Sequence, residues 1–488
     1  MNDLSFALFS PPLLVLYGIL MVLLAEIIAP NRAEANVRAL SPVISLLALL
    51  FALVVVVTRW SGATSATGFS GMVTLDRFAL FAMAVLCVAG LLAVLSAWSY
   101  LRTVGEDHGE YYALLLAAVF GGMVMVGAAD LLMIFLGLEI LSISVYVLAG
   151  FLRRRDESGE SAVKYFFLGA FSTGFLLYGI ALLFGASGST SLAALAAAPK
   201  SLLLSVGLAL LLVGFGFKIA AFPFHVWTPD VYQGAPSPVS GFMAAAVKAA
   251  AFAALLRVLV ALYEPLREQW VFIVYYLAIG TMIFGNVAAL VQQNIKRMLA
   301  YSSIAHAGYI LVGVAAMLRE PQAGASAALL YLLIYSLATV GAFAVVAHLS
   351  RAAGDADSLE AYRGLGRRHP WLAVALTLYL LSLAGIPPLV GFVGKFALFA
   401  AAIKAGLVEL AIVGVLTSAL SVYYYIRVIY LMVMAEAEEG RPAATALVAD
   451  WPGRAALIVT AVLVLVLGVA PMAIIAWAGQ GAAMLLGK

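Results

Sequence analysis

The chain has 488 residues, of which 65% are hydrophobic and 10% are charged. Soluble domains are about 45–50% apolar and about 25% charged, so this composition excludes a water-soluble globular protein. Only three more Lys and Arg than Asp and Glu side chains are present, which is too small a basic excess for a nucleic-acid partner. The single cysteine, Cys87, cannot by itself form a disulfide, an iron–sulfur cluster or a cysteine zinc site. Any electron-transfer centre is therefore expected on another chain.

Uncharged apolar runs of about 20 residues, each long enough to cross a bilayer core, recur about fourteen times along the chain. They predict an all-α polytopic membrane protein with about fourteen transmembrane helices and no attached soluble domain. The predicted spans are residues 7–29, 39–58, 76–98, 112–128, 131–151, 162–185, 201–222, 238–262, 270–291, 298–318, 325–349, 371–400, 405–434 and 455–480.

Lys and Arg residues are divided unevenly between the two sides of these spans. The loops after odd-numbered spans contain 14 of them, whereas the other loops and the two termini contain seven. Because cytoplasmic loops are enriched in Lys and Arg, the odd loops are predicted to be cytoplasmic and both termini to lie outside.

Four charged residues within the apolar runs are unusual: Glu139, Lys218, Lys248 and Lys395. A charge at mid-membrane costs about 2.5–3.5 kcal/mol on insertion scales. A structural ion pair or a side chain that snorkels to the interface explains any one of them, but four together favour a proton pathway. Hydrocarbon weakens the basicity of a lysine and a nearby carboxylate restores it, so a Glu139–Lys218 pair would set whether Lys218 holds its proton.

Helix-breaking residues interrupt two of the predicted spans, and each break has a lysine nearby. Lys218 precedes Pro223 by five residues, and Lys395 follows Pro388 by seven. Broken membrane helices are tolerated where the freed backbone is buried in protein or faces a wet cavity, and transporters build ion sites from them. The predicted break residues are Pro223, Gly385, Pro387 and Pro388.

The recurrence of a lysine near a broken helix predicts an internal repeat. Spans four to eight and nine to thirteen would form two five-helix repeats of inverted orientation, each with a broken helix. The alternative is that two proline kinks lie near lysines by chance. The predicted division is an N-terminal three-helix segment at 1–110, a first repeat at 111–262, a second repeat at 270–434 and a C-terminal helix at 435–488.

His306 is a weaker candidate within the tenth span. Imidazole titrates near neutral pH, so this residue could relay protons between the repeats, and a structural histidine bonded to a backbone carbonyl explains it equally well. Residues 391–396 have two residues between their glycines where a phosphate-binding P-loop has four, so they do not indicate a nucleotide site.

Three segments resemble the motifs of the antiporter-like subunits of respiratory complex I: Phe222–Val239, Lys296–Tyr309 and Gly385–Phe396. The resemblance extends over about residues 70 to 430. The compact length, the absence of a long C-terminal lateral helix, and Lys395 where others have Glu make the chain most similar to the N-type subunits of bacterial NADH:quinone oxidoreductase. Asn294 departs from the pattern, since many relatives have an acid there that forms an interfacial salt bridge.

The resemblance implies a translocase subunit with two inverted five-helix repeats and extra helices. Carried over by motif, Glu139, Lys218, Lys248 and Lys395 form a water-linked proton relay, with His306 as a possible further member. Protons would enter from the cytoplasm near the first helix break and leave outside from Lys395.

The resemblance also implies the partners. NADH oxidation with FMN and iron–sulfur clusters would take place on partner subunits, with quinone as the substrate of the complex and no cofactor or metal on this chain. Partners would be the other membrane subunits of complex I and the lipid bilayer, in the bacterial inner membrane, with both termini periplasmic. One alternative is an Mrp-type cation/proton antiporter subunit, and another is a structural scaffold whose charges only pair subunits.

Overall fold

The computed structural model describes residues 3–28, 39–349, 357–436 and 451–487, and helices dominate this part of the chain. Twelve of its helices are long and apolar enough to cross a membrane. The helices are α1 (Asp3–Leu8), α2 (Ser10–Ile28), α3 (Leu40–Arg59), α4 (Arg77–Val104), α5 (Gly109–Val126), α6 (Leu131–Ala149), α7 (Asp156–Ser187), α8 (Leu192–Ala196), α9 (Leu202–Ile219), α10 (Thr228–Gly234), α11 (Ser237–Ala261), α12 (Tyr263–Leu290), α13 (Ile295–Ala316), α14 (Pro321–Leu349), α15 (Leu365–Arg368), α16 (Pro370–Ala384), α17 (Val390–Lys404), α18 (Val408–Val433), α19 (Trp451–Val469) and α20 (Met472–Leu485).

Short elements complete the fold. Two strands, β1 (Thr67–Gly68) and β2 (Val73–Thr74), pair antiparallel between α3 and α4. A 3-10 turn at Leu359–Tyr362 precedes α15. These elements lie in the connections, so the membrane-embedded part consists of helices.

The predicted all-α membrane fold is confirmed, and every predicted span overlaps at least one helix. The last span is two helices, because the chain turns at Pro471, whose missing N–H cannot continue a helix. The total number of spans and the division into repeats stay predictions. Of the cations used to predict orientation, five lie outside the described residues: Arg32, Arg38, Arg351, Arg441 and Lys488.

Polar side chains define several helix starts. Asp76 accepts a hydrogen bond from the backbone N–H of Ala79 at the start of α4, and Asp130, Ser201 and Asn294 accept equivalent bonds at the starts of α6, α9 and α13. The first N–H groups of a helix have no partner within it, and hydrocarbon supplies none. These caps therefore let the helices begin without unsatisfied donors.

Three helices form the centre of the bundle. α11, α13 and α14 are almost wholly buried, whereas α2, α3, α7, α18 and α19 bury only a minority of their residues. α11 contains a π-helical segment, Met243–Val247, which ends directly before Lys248. His306 lies on α13 beside it in the bundle. The centre of the fold thus holds charged and titratable side chains away from lipid.

The two predicted helix breaks are present and have a similar backbone path. α9 ends at Ala220 with φ +59°, and α16 ends at Gly385 with φ +87°, so both helices stop at a left-handed residue. A proline follows three positions later in each case, at Pro223 and Pro388, and both X-Pro bonds are cis. The prolines are exposed, as is Pro387. The similarity agrees with the predicted internal repeat.

A buried ion pair joins the N-terminal helices to the centre of the bundle. The Arg257 guanidinium, on α11, donates to both carboxylate oxygens of Asp76 at 2.9 Å each. The Arg257 side chain is 9% exposed and that of Asp76 7%. The guanidinium also lies 4.8 Å from the centre of the Phe78 ring. The pair fixes the start of α4 against the helix that carries Lys248.

We predict that Asp76→Asn lowers the stability of the protein by about 3–5 kcal/mol, because it leaves Arg257 buried without its counter-ion. The asparagine oxygen can still cap α4. Thermal unfolding in mild detergent measures the loss, with Asp156→Asn at the exposed first turn of α7 as the matched control. The double variant Asp76→Asn/Arg257→Leu should recover part of the loss. Equal unfolding temperatures for Asp76→Asn and Asp156→Asn would contradict this role.

Candidate functional site

The three lysines identified in the sequence are enclosed by protein. Lys218, Lys248 and Lys395 are 3%, 1% and 4% exposed, and they lie on α9, α11 and α17. Glu139, on α6, is half-buried. Because protein groups bind all three ammonium groups, these lysines do not snorkel to a membrane surface.

Hydroxyl groups and aromatic rings surround Lys218. Its Nζ donates to Ser142 Oγ at 2.7 Å and to Tyr146 Oη at 3.1 Å. The same nitrogen lies 5.1 Å from the centre of the Tyr146 ring and 5.5 Å from that of Tyr165. Ring faces attract a cation and hydroxyl oxygens accept its hydrogen bonds, so this environment stabilises an ammonium group without a carboxylate.

Glu139 shares a face of α6 with two residues that contact Lys218. Ser142 and Tyr146 follow it by three and seven residues, so the three side chains lie on one face of α6. Glu139 Oε1 accepts a hydrogen bond from Thr173 Oγ1 at 3.0 Å. Among the ion pairs of the described residues, none joins Glu139 to Lys218, because Ser142 and Tyr146 occupy the positions around Nζ. The direct pair expected from the sequence is therefore absent from the contacts of these two residues.

Lys248 is bound by a single residue of α13. Its Nζ donates to the backbone oxygen of Ser303 at 2.6 Å and to Ser303 Oγ at 2.5 Å. Lys248 follows the π-helical segment of α11 directly, and such segments are frequent at functional sites. This local widening of the helix is a feature that the sequence pattern did not indicate.

Both ring nitrogens of His306 have hydroxyl partners. Nδ1 is 2.7 Å from Tyr331 Oη, on α14, and Nε2 is 3.1 Å from Tyr425 Oη, on α18. The Tyr425 hydroxyl is also hydrogen-bonded to Ser302 Oγ. The alternative predicted for His306, a hydrogen bond to a backbone carbonyl, is not among these contacts. Hydroxyl groups, which both donate and accept hydrogen bonds, therefore contact the imidazole on two sides.

A continuous set of side chains connects Lys248 with Lys395. Lys248 Nζ lies 5.9 Å from the centre of the Tyr335 ring, which is 5.0 Å from the His306 ring. The His306 ring is 5.5 Å from the Tyr309 ring, over which Lys395 Nζ lies at 4.9 Å. His306 therefore lies between the two lysines.

Lys395 reaches across the second helix break. Its Nζ donates to the backbone oxygen of Ala384, the last residue of α16, at 3.0 Å and to Ser418 Oγ at 2.7 Å. A Cβ added at Gly385 would lie 2.9 Å from Lys395 Cδ, so the small residue leaves room for the lysine as well as allowing the left-handed turn. A cavity of about 570 Å³ between α17 and α18 opens onto Lys395.

Both break-associated lysines lie at the carboxyl end of a half-helix. Lys218 is in the last turn of α9, and the Lys395 ammonium group binds the last carbonyl of α16. The carboxyl end of a helix carries partial negative charge, which stabilises cations there. Transporters bind cations at such ends of broken helices. The two breaks thus provide two comparable sites for a proton-carrying group.

Ion pairs hold the short helix α10 that follows the first break. Asp230 accepts hydrogen bonds from Lys164 Nζ and from Arg297 Nη1, each at 2.6 Å. Arg297 also donates to Gln233 Oε1 at 3.2 Å. Asn294 caps the helix that carries Arg297 by accepting its backbone N–H at 3.0 Å. In this chain Asp230, rather than an acid at position 294, therefore binds Arg297.

Several hydroxyl-bearing residues of the site were missed in the sequence. Ser142 and Tyr146 could have been found from their helical spacing to Glu139. The partners of His306 come from other helices, so no spacing rule along one helix could have found them. The added residues are Ser142, Tyr146, Thr173, Ser302, Ser303, Tyr309, Tyr331, Tyr335, Ser418 and Tyr425.

Comparisons with known proteins place the chain in a family. Residues 128–421 match the family model described as "NADH:quinone oxidoreductase/Mrp antiporter, TM". NADH-quinone oxidoreductase subunit N from Trichlorobacter lovleyi is 45% identical over 470 residues, which are 94% of this chain and 93% of the relative. NADH-quinone oxidoreductase subunit N 1 from Sorangium cellulosum is 44% identical, over 95% of each chain.

Two solved structures show the same architecture. A chain of respiratory complex I from Thermus thermophilus with bound aureothin is 37% identical with a TM-score of 0.79, over 96% of this chain and 98% of that one. A chain of the Mrp complex from Dietzia sp. has a TM-score of 0.84 over 98% of each chain, but at 21% identity it shows the fold alone. The chain therefore belongs to the family of NADH-quinone oxidoreductase subunit N, within the NADH:quinone oxidoreductase/Mrp antiporter transmembrane proteins.

Proposed function

We propose that Glu139, Lys218, Lys248 and Lys395 carry protons across the membrane, with His306 between the last two lysines. As a member of the subunit N family, the chain is a multi-pass membrane subunit of NADH-quinone oxidoreductase and works together with the other subunits of that complex. The proposal concerns how this chain performs proton translocation.

The proposal rests on the chemical nature of the groups that contact each lysine ammonium group. Among the ion pairs of the described residues, none includes Lys218, Lys248 or Lys395, whose ammonium groups bind hydroxyl and carbonyl oxygens instead. A carboxylate partner would be left as an unpaired buried anion whenever the lysine lost its proton. Neutral partners carry no such penalty, so these lysines can alternate between charged and neutral forms.

The contacts suggest a route in two parts. Protons enter from the cytoplasm near the Pro223 break and are held on Lys218. Glu139 stabilises the positive charge of Lys218 from the face of α6 that also carries the two hydroxyl partners of this lysine. Lys248, His306 and Lys395 form the second part, in which tyrosine and serine hydroxyls fill most of the space between the ammonium groups. We route the step between Lys218 and Lys248 through water.

The energy for this transfer must come from the other subunits. Moving one charge across about 100 mV requires about 2.3 kcal/mol. We place NADH oxidation, FMN, the iron–sulfur clusters and quinone reduction on partner subunits, with both termini of this chain on the periplasmic side. A neighbour can drive the relay only if it interacts differently with the protonated and neutral states of these lysines.

The alternative of an Mrp-type antiporter subunit has weaker support. Relatives at 44–45% identity over most of the chain are named NADH-quinone oxidoreductase subunit N, whereas the Mrp complex shares the fold at 21% identity. Sodium-dependent exchange by vesicles that hold this chain without its NADH dehydrogenase subunits would favour the antiporter.

Removing a relay group should stop pumping without loss of the complex. We expect Lys218→Ala, Glu139→Ala and Lys395→Ala each to slow proton pumping at least tenfold, since positioned proton-transfer groups contribute about 10²–10⁴-fold. Pumping is measured as NADH-driven acidification in vesicles with the assembled complex. Lys200→Ala, which removes an exposed lysine, is the matched control. Wild-type pumping by both Lys218→Ala and Glu139→Ala would refute the relay.

The variant Lys248→Arg separates a proton carrier from a structural charge. Arginine keeps the positive charge but does not release its proton in proteins. The relay therefore predicts an assembled complex that has lost proton pumping, whereas a scaffold whose charges only pair subunits predicts retained pumping. Subunit content of the purified complex, compared with that of a Lys248→Ala variant, shows whether assembly survives.

The variant His306→Gln tests the histidine as a carrier. Glutamine can hydrogen-bond to Tyr331 and Tyr425 but cannot take up a proton at neutral pH. We expect pumping to fall while thermal stability stays close to that of the wild-type complex. Unchanged pumping would assign His306 a structural role and leave the transfer to the tyrosines and water.

A further inference from the structure

An apolar cavity of about 440 Å³ lies between α3, α4, α14, α19 and α20, away from the lysines. Its walls are aliphatic and aromatic side chains, such as Val56, Ala84, Leu337 and Leu463, with Ser61 the small polar residue at the edge. The volume is in the range of small-molecule binding sites. The cavity therefore has the size to hold a ligand of its own.

The cavity is elongated along the membrane-crossing helices. Its contacts on α4 run from Leu80 to Val88, which is about 12 Å along a helix. Water needs two to four polar partners to occupy a buried space, and this lining offers almost none. Four of the five surrounding helices are long and apolar enough to cross the membrane, so lipid hydrocarbon is the material in contact with this region. A linear hydrocarbon chain fits both the shape and the chemistry.

The open end of the cavity has the residues of a membrane interface. The rings of Trp60 and Trp477 lie 5.7 Å apart there, and Trp60 Nε1 donates to Gln480 Oε1 at 3.0 Å. Arg77 Nε donates to the backbone oxygen of Trp60 at 3.2 Å, and Arg59 immediately precedes this tryptophan. Tryptophan is enriched at the headgroup level of membranes, and the guanidinium fork binds phosphate. Arg59 is exposed and Arg77 half-exposed, and both lie next to Trp60, which lines the cavity.

We propose that this cavity binds one acyl chain of a membrane phospholipid, with Trp60 and Trp477 at the headgroup level and Arg77 and Arg59 beside the phosphate. The two cations favour an anionic phosphodiester over an uncharged isoprenoid, which would use the apolar walls alone. The bound chain fills the space between the N-terminal helices and α19 and α20. It thereby attaches the C-terminal end of the protein to the rest of the bundle.

Photolabelling of the assembled complex in vesicles tests this site. The probe is phosphatidylglycerol with a diazirine on one acyl chain, and a second arm uses a diazirine-bearing prenol. Cross-linked peptides are identified by mass spectrometry. We expect phosphatidylglycerol to label the α4 and α19 residues of the cavity more strongly than the lipid-exposed surface of α18, and the prenol to label them no more than that surface.

Two kinds of variant connect the labelling to the cavity. Ala84→Leu narrows it and should reduce the labelling of its walls, whereas Val54→Leu, on an exposed face of α3, should leave that labelling unchanged. Should Ala84→Leu fail to assemble, the double variant Arg59→Gln/Arg77→Gln, which leaves the walls intact, is expected to reduce phospholipid labelling there.

Three outcomes would overturn the proposal. The first is labelling of the walls no stronger than that of the α18 surface, or labelling that is not reduced in Ala84→Leu. The second is strong labelling by the prenol that is insensitive to the arginine variants. The third is cross-linking of the walls to another polypeptide of the complex, which would assign the cavity to a neighbouring subunit.

Discussion

The structure depends on one constraint: a charge inside hydrocarbon must find all its partners within the protein. Three lysine ammonium groups satisfy it in the same manner, with oxygens of hydroxyls and backbone carbonyls and with the faces of tyrosine rings. These partners are neutral, so the loss of a proton does not strand an opposite charge. The same partners stabilise the lysines inside the membrane and, in the proposed relay, allow them to change protonation state.

The buried ion pair of Arg257 and Asp76 shows the contrasting arrangement. Its guanidinium is bound by two carboxylate oxygens of Asp76 in a bidentate pair, which joins the start of α4 to α11. Arg257 lies nine residues after Lys248 on α11. α11 thus carries two charged side chains of different kinds. Arg257 has a fixed counter-ion and anchors the helix, whereas Lys248 has none and is suited to proton transfer.

The helix breaks and the central helices contribute to the site in different ways. At the breaks, the carboxyl ends of half-helices supply negative potential to Lys218 and Lys395. In the centre, α11, α13 and α14 exclude lipid and bring Lys248 and His306 among tyrosines from three helices. The apolar cavity at the other side of α14 lacks such polar partners. Trp60 and Trp477 belong to its lining, so the proposed lipid site differs in chemistry from the proposed proton path.

The sequence by itself determined the membrane fold, the positions of the breaks and the identity of the buried charges. These follow from local properties: apolar run length, the missing N–H of Pro223 and Pro388, and the cost of Glu139 and the lysines inside such runs. The ion pair of Asp76 and Arg257 was not predicted, because one residue lies at a helix start and the other near the end of a span, where charges are common.

Only the tertiary structure decided what each charge contacts. It placed Ser142 and Tyr146, rather than Glu139, against Lys218, and it brought Tyr331 and Tyr425 to His306 from two other helices. The π-helical segment before Lys248 and the cavity beside Ala84 likewise arise from helix packing. Residue type and spacing along one helix report on that helix alone, whereas partners across helices depend on how all of them pack together.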